Sequence, residues 1–105
     1  MRREEETGIV RFVAEENITA SNVRELQTFF IEEMESVTAG AVVLDLSPVD
    51  FVDSSGLTLV IGLSKTCNKK GVTFRLDVRS ADILRVLRTC NLHNLFEIRE
   101  VTSDE

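Results

Sequence analysis

Apolar residues recur along the chain with two alternating periods. Between Thr7 and Ala14, Ile9, Val10, Phe12 and Val13 bracket Arg11, the short-period pattern of a strand. Past Asn22 the spacing lengthens. Val23, Leu26, Phe30, Met34 and Val37 return every three or four residues, which predicts one apolar face of a helix over Asn22–Thr38 that stops near Gly40. Asn22 followed by Glu25 has the form of a capping box. Ala41-Val42-Val43-Leu44-Asp45-Leu46 is too short for a helix and too continuously apolar for a strand with one wet face, so it reads as a buried central strand. Ser47-Pro48-Val49-Asp50 breaks it. Leu57, Val60, Ile61 and Leu63 then build a densely apolar helix over Ser55–Lys70. Lys65, Lys69 and Lys70 lie where cations suit the negative end of its dipole, and Gly71 supplies a left-handed stop. Val72–Val78 alternates strictly and reads as a strand. Ser80 can cap a third helix over Ala81–Cys90 with Ile83, Leu84, Val86 and Leu87, and Leu95–Arg99 reads as a short closing strand.

Strands alternating with helices predict an α/β fold with a four- to five-stranded, mostly parallel sheet, right-handed crossovers and three main helices. A chain of 105 residues has room for a single domain and one core, with the ordered part spanning about residues 7–99. Leu44, Leu57, Val60, Ile61, Phe74 and Leu87 occupy apolar positions of the central elements and are expected in that core. Glu4, Glu5 and Glu6 read as a solvated terminus without a role.

Charge removes several classes of function. Eighteen acidic against twelve basic residues give a net charge of −6, which opposes binding to nucleic acid. The start of the chain is charged and no stretch approaches the ~20 apolar residues of a membrane span, so a cytoplasmic protein without membrane insertion is expected. Cys67, Cys90 and the sole histidine, His93, lack metal-ligand spacing, and both thiols are expected to be buried and reduced. No Gly-rich phosphate loop occurs, and no cofactor is expected. A serine nucleophile at position 54 or 55 needs a base, and His93 lies in the turn before the last strand, where chain order does not bring it to either serine. A binding module rather than an enzyme is the expectation.

The most informative stretch runs from Val42 to Leu63, where a buried strand, a turn and Asp53-Ser54-Ser55-Gly56 lead into an apolar helix. Ser54 or Ser55 falls at or next to the helix N-cap, where backbone N–H groups and the positive dipole end favour an anion. On the residues alone, Asp53, Ser54 and Ser55 can equally serve only to cap the helix. Val43-Leu44-Asp45-Leu46, Phe51-Val52 and Asp53-Ser54-Ser55-Gly56-Leu57 together resemble the signature of STAS-domain anti-sigma factor antagonists. The likeness continues through Gly71 to Leu87-Arg88-Thr89-Cys90-Asn91-Leu92 and Phe96-Glu97-Ile98, with Asn91 standing for a common glycine and able to adopt the same left-handed conformation.

The resemblance implies a phosphorylation-controlled protein-binding module in a partner-switching pathway of transcription regulation. The phosphate acceptor it implies is the first hydroxyl after the aspartate, Ser54 rather than Ser55, in a site shaped by Asp53 and Gly56. The partners it implies are an anti-sigma factor that is also a serine kinase, and a phosphatase. The family often carries Gly-x-aliphatic-Asp between its early strand and first helix, where this chain reads Glu16-Asn17-Ile18-Thr19. That departure favours the alternative, a STAS module of a sensory, chemotaxis or lipid-transport complex acting without phosphorylation.

Overall fold

The structure, a computed structural model, describes residues 1–102. Its elements in chain order are β1 (Arg2–Glu6), β2 (Ile9–Val13), α1 (Val23–Glu35), β3 (Ala41–Asp45), α2 (Ser54–Lys69), β4 (Thr73–Val78), α3 (Ala81–Thr89), a short 3-10 turn (Leu92–Asn94) and β5 (Glu97–Glu100). The five strands pair in the order β1-β2-β3-β4-β5. β1 is antiparallel to β2, and the remaining pairs are parallel. This is the mostly parallel α/β sheet with three helices that the two periods predict.

Sequential strand order has a geometric consequence. Each helix joins neighbouring parallel strands, and right-handed crossovers that always advance in one direction place every helix on the same face. Register identifies that face. Val10, Val42 and Phe74 lie side by side, as do Phe12, Leu44, Leu76 and Ile98, and all are apolar. Phe30 and Met34 of α1, Leu59, Val60, Leu63 and Cys67 of α2, and Ile83, Leu84 and Leu87 of α3 join them in one continuous core. Phe12 meets Phe29 and Phe30 edge-on, with ring centroids 5.8 and 5.3 Å apart. Of the expected core residues, Leu44, Val60 and Leu87 are buried, while Leu57, Ile61 and Phe74 are half-buried and pack against it.

The opposite face of the sheet carries charge. Asp77 on β4 has only 1% of its surface exposed. Its carboxylate accepts hydrogen bonds from Arg75 Nε at 2.7 Å, Arg11 Nη1 at 3.1 Å and Arg99 Nη2 at 3.2 Å, which ties β2, β4 and β5 together. Arg11 also reaches Asp45 on β3 and Glu6 on β1. A carboxylate this deep is tolerable because three guanidinium groups replace its water. The Asp77 and Asp45 charges in turn raise the pKa of Arg11 against the opposing effect of its burial.

The start of the chain differs from the sequence expectation. Arg2–Glu6 is an edge strand, turned onto β2 through Gly8 at a left-handed φ of +78°. An all-charged stretch has no hydrophobic alternation to reveal it. What holds it is the ladder to β2 together with ion pairs from Arg2 to Glu15 and from Arg3 to Glu33. Cys90 also departs from expectation. It is exposed at the C-cap of α3, because the buried stripe of that short helix ends at Leu87. Cys67 is buried on α2, and desolvation pushes its thiol pKa up to about 11. Gly71 at φ +71° and Asn91 at φ +59° take the left-handed conformations foreseen for them.

Candidate functional site

The strand-to-helix junctions at the C-terminal ends of β2 and β3 lie next to each other and are stitched into one platform. Ile18 forms a parallel bridge with Val52. The Ile18 N–H donates to the Phe51 carbonyl at 3.3 Å, and the Asp53 N–H donates to the Ile18 carbonyl at 3.2 Å. Asn17 completes the join. Its Oδ1 accepts from the N–H groups of Asp50 (2.9 Å) and Phe51 (3.2 Å), so one side chain satisfies two adjacent loop donors.

Asp53 is the N-cap of α2, in extended conformation. Its Oδ1 accepts from Gly56 N at 2.9 Å and its Oδ2 accepts from Ala20 N at 2.9 Å. One carboxylate therefore caps α2 and tethers the loop that leads into α1. The hydrogen bonds from the Gly56, Ala20 and Ser55 amides stabilise the charged form and hold its pKa below the ordinary carboxylate value. Gly56 is needed for a different reason. A Cβ there would lie 2.5 Å from Val52 Cγ1 and 2.7 Å from the Ile18 carbonyl oxygen, inside normal contact distance. The absence of a side chain lets the first turn of α2 close onto the Ile18–Val52 bridge.

Ser54 is the first residue of α2 and is exposed; Ser55 is half-buried. The structure thus brings Asp53, Ser54, Ser55 and Gly56 together as one cap, with Asp53 rather than either serine as the capping group. Part of the N–H field that the sequence offers to an anion is already occupied by the Asp53 carboxylate. A negative group on the Ser54 hydroxyl would stand beside that carboxylate and face outward into water. Asp50 and Glu16 are exposed on the adjoining loops, so the surroundings are acidic.

Sequence reasoning did not assign roles to Asn17, Ala20 or Phe51. Phe51 is 54% exposed next to the buried Val52. The signal that could have found Asn17 is an amide side chain in a loop whose neighbours offer it no local partner. The Asn22–Glu25 capping box does not form. Asn22 Oδ1 instead accepts from Thr19 N at 3.0 Å, and its Nδ2 donates to the Asn17 carbonyl at 2.8 Å, turning the loop back on itself. Ser80 caps α3 as foreseen, accepting from Ile83 N at 3.3 Å.

The other candidate groups lie elsewhere. His93 is exposed in the turn that precedes β5, at the opposite end of the parallel strands from the start of α2. The Lys70 ammonium donates to the Met34 carbonyl and so closes the end of α1, a neighbouring helix, whereas the sequence suggests for it only the dipole end of its own helix α2. An apolar groove of about 670 Å³ runs between α1 and α2, from Ser55 and Thr58 at one end to Lys70 at the other. Among the described residues, no cluster of three or more potential metal ligands occurs and no helix is long and apolar enough to cross a membrane.

Solved structures share this fold. An anti-sigma factor antagonist from Mycobacterium paratuberculosis superposes with a TM-score of 0.85 at 20% identity, covering 98% of this chain and 86% of that one. The TM1081 protein of Thermotoga maritima gives a TM-score of 0.87 at 20% identity, with coverage of 98% and 88%. The Bacillus cell fate determinant SpoIIAA in its phosphorylated form gives 0.73 at 15% identity, with coverage of 98% and 92%. At these identities the likeness establishes the fold. The family model of the STAS domain matches residues 1–105, the whole length of the sequence, and the chain belongs to the STAS domain family.

Proposed function

We propose that this chain is an anti-sigma factor antagonist whose binding is controlled by phosphorylation of Ser54. The observation that carries the reading is the placement of Ser54. It is the first residue of α2, exposed, and fixed by an aspartate cap and a glycine that admits no side chain. A kinase can reach that hydroxyl without unfolding anything. SpoIIAA, which shares the fold, has a phosphorylated form. The chain acts in this reading as a substrate and binding module in the cytoplasm, not as a catalyst. Its partners are an anti-sigma factor that is also a serine kinase, which releases its sigma factor when this chain binds, and a phosphatase that resets the cycle.

The physical basis of the switch is desolvation. Phosphorylation adds about 1.5–2 negative charges at pH 7 to a surface that already carries Asp50, Asp53 and Glu16. In the free protein the phosphate faces water, and stability changes little. A partner that lies flush over Ser54 must strip that water, and a penalty of only ~3 kcal/mol weakens binding on the order of a hundredfold.

The test is mass spectrometry of the protein purified from its own cells, then calorimetry with a partner recovered on it. Phosphate on Ser54, tight binding by Ser54→Ala and weakened binding by Ser54→Asp are expected. Phosphate found only elsewhere, or equal affinity of the wild type and Ser54→Asp, would sink the proposal. A second reading has its own support in the Glu16–Thr19 loop, where Asn17 is committed to pinning Asp50 and Phe51 rather than free to meet a kinase. In that reading the same surface serves a sensory, chemotaxis or lipid-transport complex without phosphorylation.

A further inference from the structure

Phe51 is the one phenylalanine among the described residues that the fold does not use. Phe12, Phe30 and Phe96 are buried, and Phe29 and Phe74 pack against the core. Phe51 keeps 54% of its surface in water. Its backbone is fixed on both sides, with its N–H donated to Asn17 Oδ1 at 3.2 Å and its carbonyl accepting from Ile18 N at 3.3 Å. Val52 faces inward at the bridge to Ile18, and the alternation of an extended chain turns Phe51 outward. Any polar residue could make the same backbone bonds, so the architecture supplies no reason for an aromatic ring here.

Isolated apolar residues on a surface are ordinary. Three features set this one apart: it is aromatic, its main chain is immobilised, and it precedes Ser54 by three residues on the same platform. Rigid aromatic side chains lose little freedom on binding and supply much of the energy where a partner offers a pocket. The flanking charge is acidic, from Asp50 beside it and Glu16 on the adjoining loop.

We propose that Phe51 is the anchor by which the protein that covers Ser54 grips this chain. The surface it fits is an apolar pocket with a lysine or arginine on the side that meets Asp50 and Glu16. This rests on the reading of Ser54 as the switch and gives that switch its lever. With the ring seated, the Ser54 hydroxyl lies at the rim of the pocket. A phosphoryl group there holds its own water and keeps the ring from seating.

The test uses the protein recovered on a Ser54→Ala bait, identified, and produced separately. Calorimetry compares wild type, Phe51→Ala, Ser54→Asp and, as a control, Ile31→Ser, which changes another exposed apolar residue on α1. Phe51→Ala should bind about 30-fold more weakly or worse, the loss typical of an interface hot spot. Ile31→Ser should bind like the wild type. Melting temperatures within about 2 °C of the wild type show that the loss is not unfolding. If Phe51→Ala melts lower, p-benzoylphenylalanine at position 51 decides the matter, because a seated ring must cross-link to the partner on irradiation. Wild-type affinity of Phe51→Ala, or no cross-link, overturns the anchor. Weak binding by Ser54→Asp together with full binding by Phe51→Ala leaves the switch standing without it. Full binding by Ser54→Asp with weak binding by Phe51→Ala does the reverse. A bait that retrieves nothing defeats both.

Discussion

Gly56 and Gly62 lie in the same helix, and changing each to alanine should move stability in opposite directions. At position 56 the added methyl group would sit 2.5 Å from Val52 Cγ1, 2.7 Å from the Ile18 carbonyl oxygen and 3.1 Å from Ile18 Cγ2. Ordinary contact starts at 3.4 Å, so something must shift by most of an ångström. The Val52 side chain is β-branched and stiff. The Ile18 oxygen belongs to the backbone and already accepts the Asp53 N–H. Relief therefore comes from moving the first turn of α2 away from the bridge, which strains the Asp53 cap. Overpacking costs about 1–3 kcal/mol and a weakened cap hydrogen bond about 1, while alanine returns up to about 1 through helix propensity. The net loss should be near 2 kcal/mol. At position 62 the new methyl group meets nothing within 4 Å. Only propensity remains there, and Gly62→Ala should gain about 0.5–1 kcal/mol. The chain has neither Trp nor Tyr, so urea titrations are best followed by far-ultraviolet circular dichroism. A Gly56→Ala protein as stable as the wild type would show that α2 does not close onto Ile18 as described.

Other groups yield further expectations. Asp77→Ala removes the carboxylate that Arg11, Arg75 and Arg99 share, but Arg11 keeps Asp45 and Glu6 and Arg99 is half in water, so denaturant titration should show a loss of about 1–3 kcal/mol; no measurable loss would mean that the arginines simply hydrate. Because the Asp53 pKa is lowered in the fold, its stabilising contribution is complete above the ordinary carboxylate range and fades as pH falls through the folded value. The stability gap between wild type and Asp53→Ala should accordingly be flat near neutrality and narrow under acid, and a gap that widens on acidification would contradict the cap. Iodoacetamide at pH 8 should label Cys90 rapidly and leave Cys67 untouched until the protein unfolds, since Cys67 is buried with its thiol pKa near 11; equal rates in mass spectrometry would disprove this burial.

The helices and most inner strands are legible in the sequence because each buries one face, and burial leaves a period, while β3 is buried on both faces and shows as an unbroken apolar run. Leu44 follows from the run, and Val60 and Leu87 from the period. β1 leaves none, since its stability comes from a partner strand and from ion pairs to residues as distant as Glu33. The Asn22–Glu25 box is legible but misleading, because Asn17 and Thr19 compete for the same amide side chain and win. In the candidate site, a cap at Asp53–Ser55 can be read locally, as cap geometry depends on three or four consecutive residues, whereas the need for Gly56 cannot, because the Ile18 carbonyl that it must clear comes from the adjoining loop. The second anchor of Asp53 cannot, because Ala20 lies 33 positions away and only the adjacency of β2 and β3 brings it near. Cys90 illustrates a limit of counting helix positions. Its apolar character and its spacing from Leu87 suggest an interior place, yet the helix ends at Thr89 and Cys90 is its exposed C-cap.

The two strands that border the sheet carry a chemical safeguard. β1 reads Arg2-Arg3-Glu4-Glu5-Glu6, and β5 contributes Glu97, Arg99 and Glu100 around Ile98. An open border offers unpaired N–H and C=O groups to any passing extended chain, the usual route to aggregation. Here a newcomer would have to lay its own side chains against a row of hydrated charges before gaining a single backbone bond. The sheet is thereby kept from acquiring unwanted associates along its sides, and the protein should stay monodisperse at concentrations where a sheet with apolar borders would precipitate.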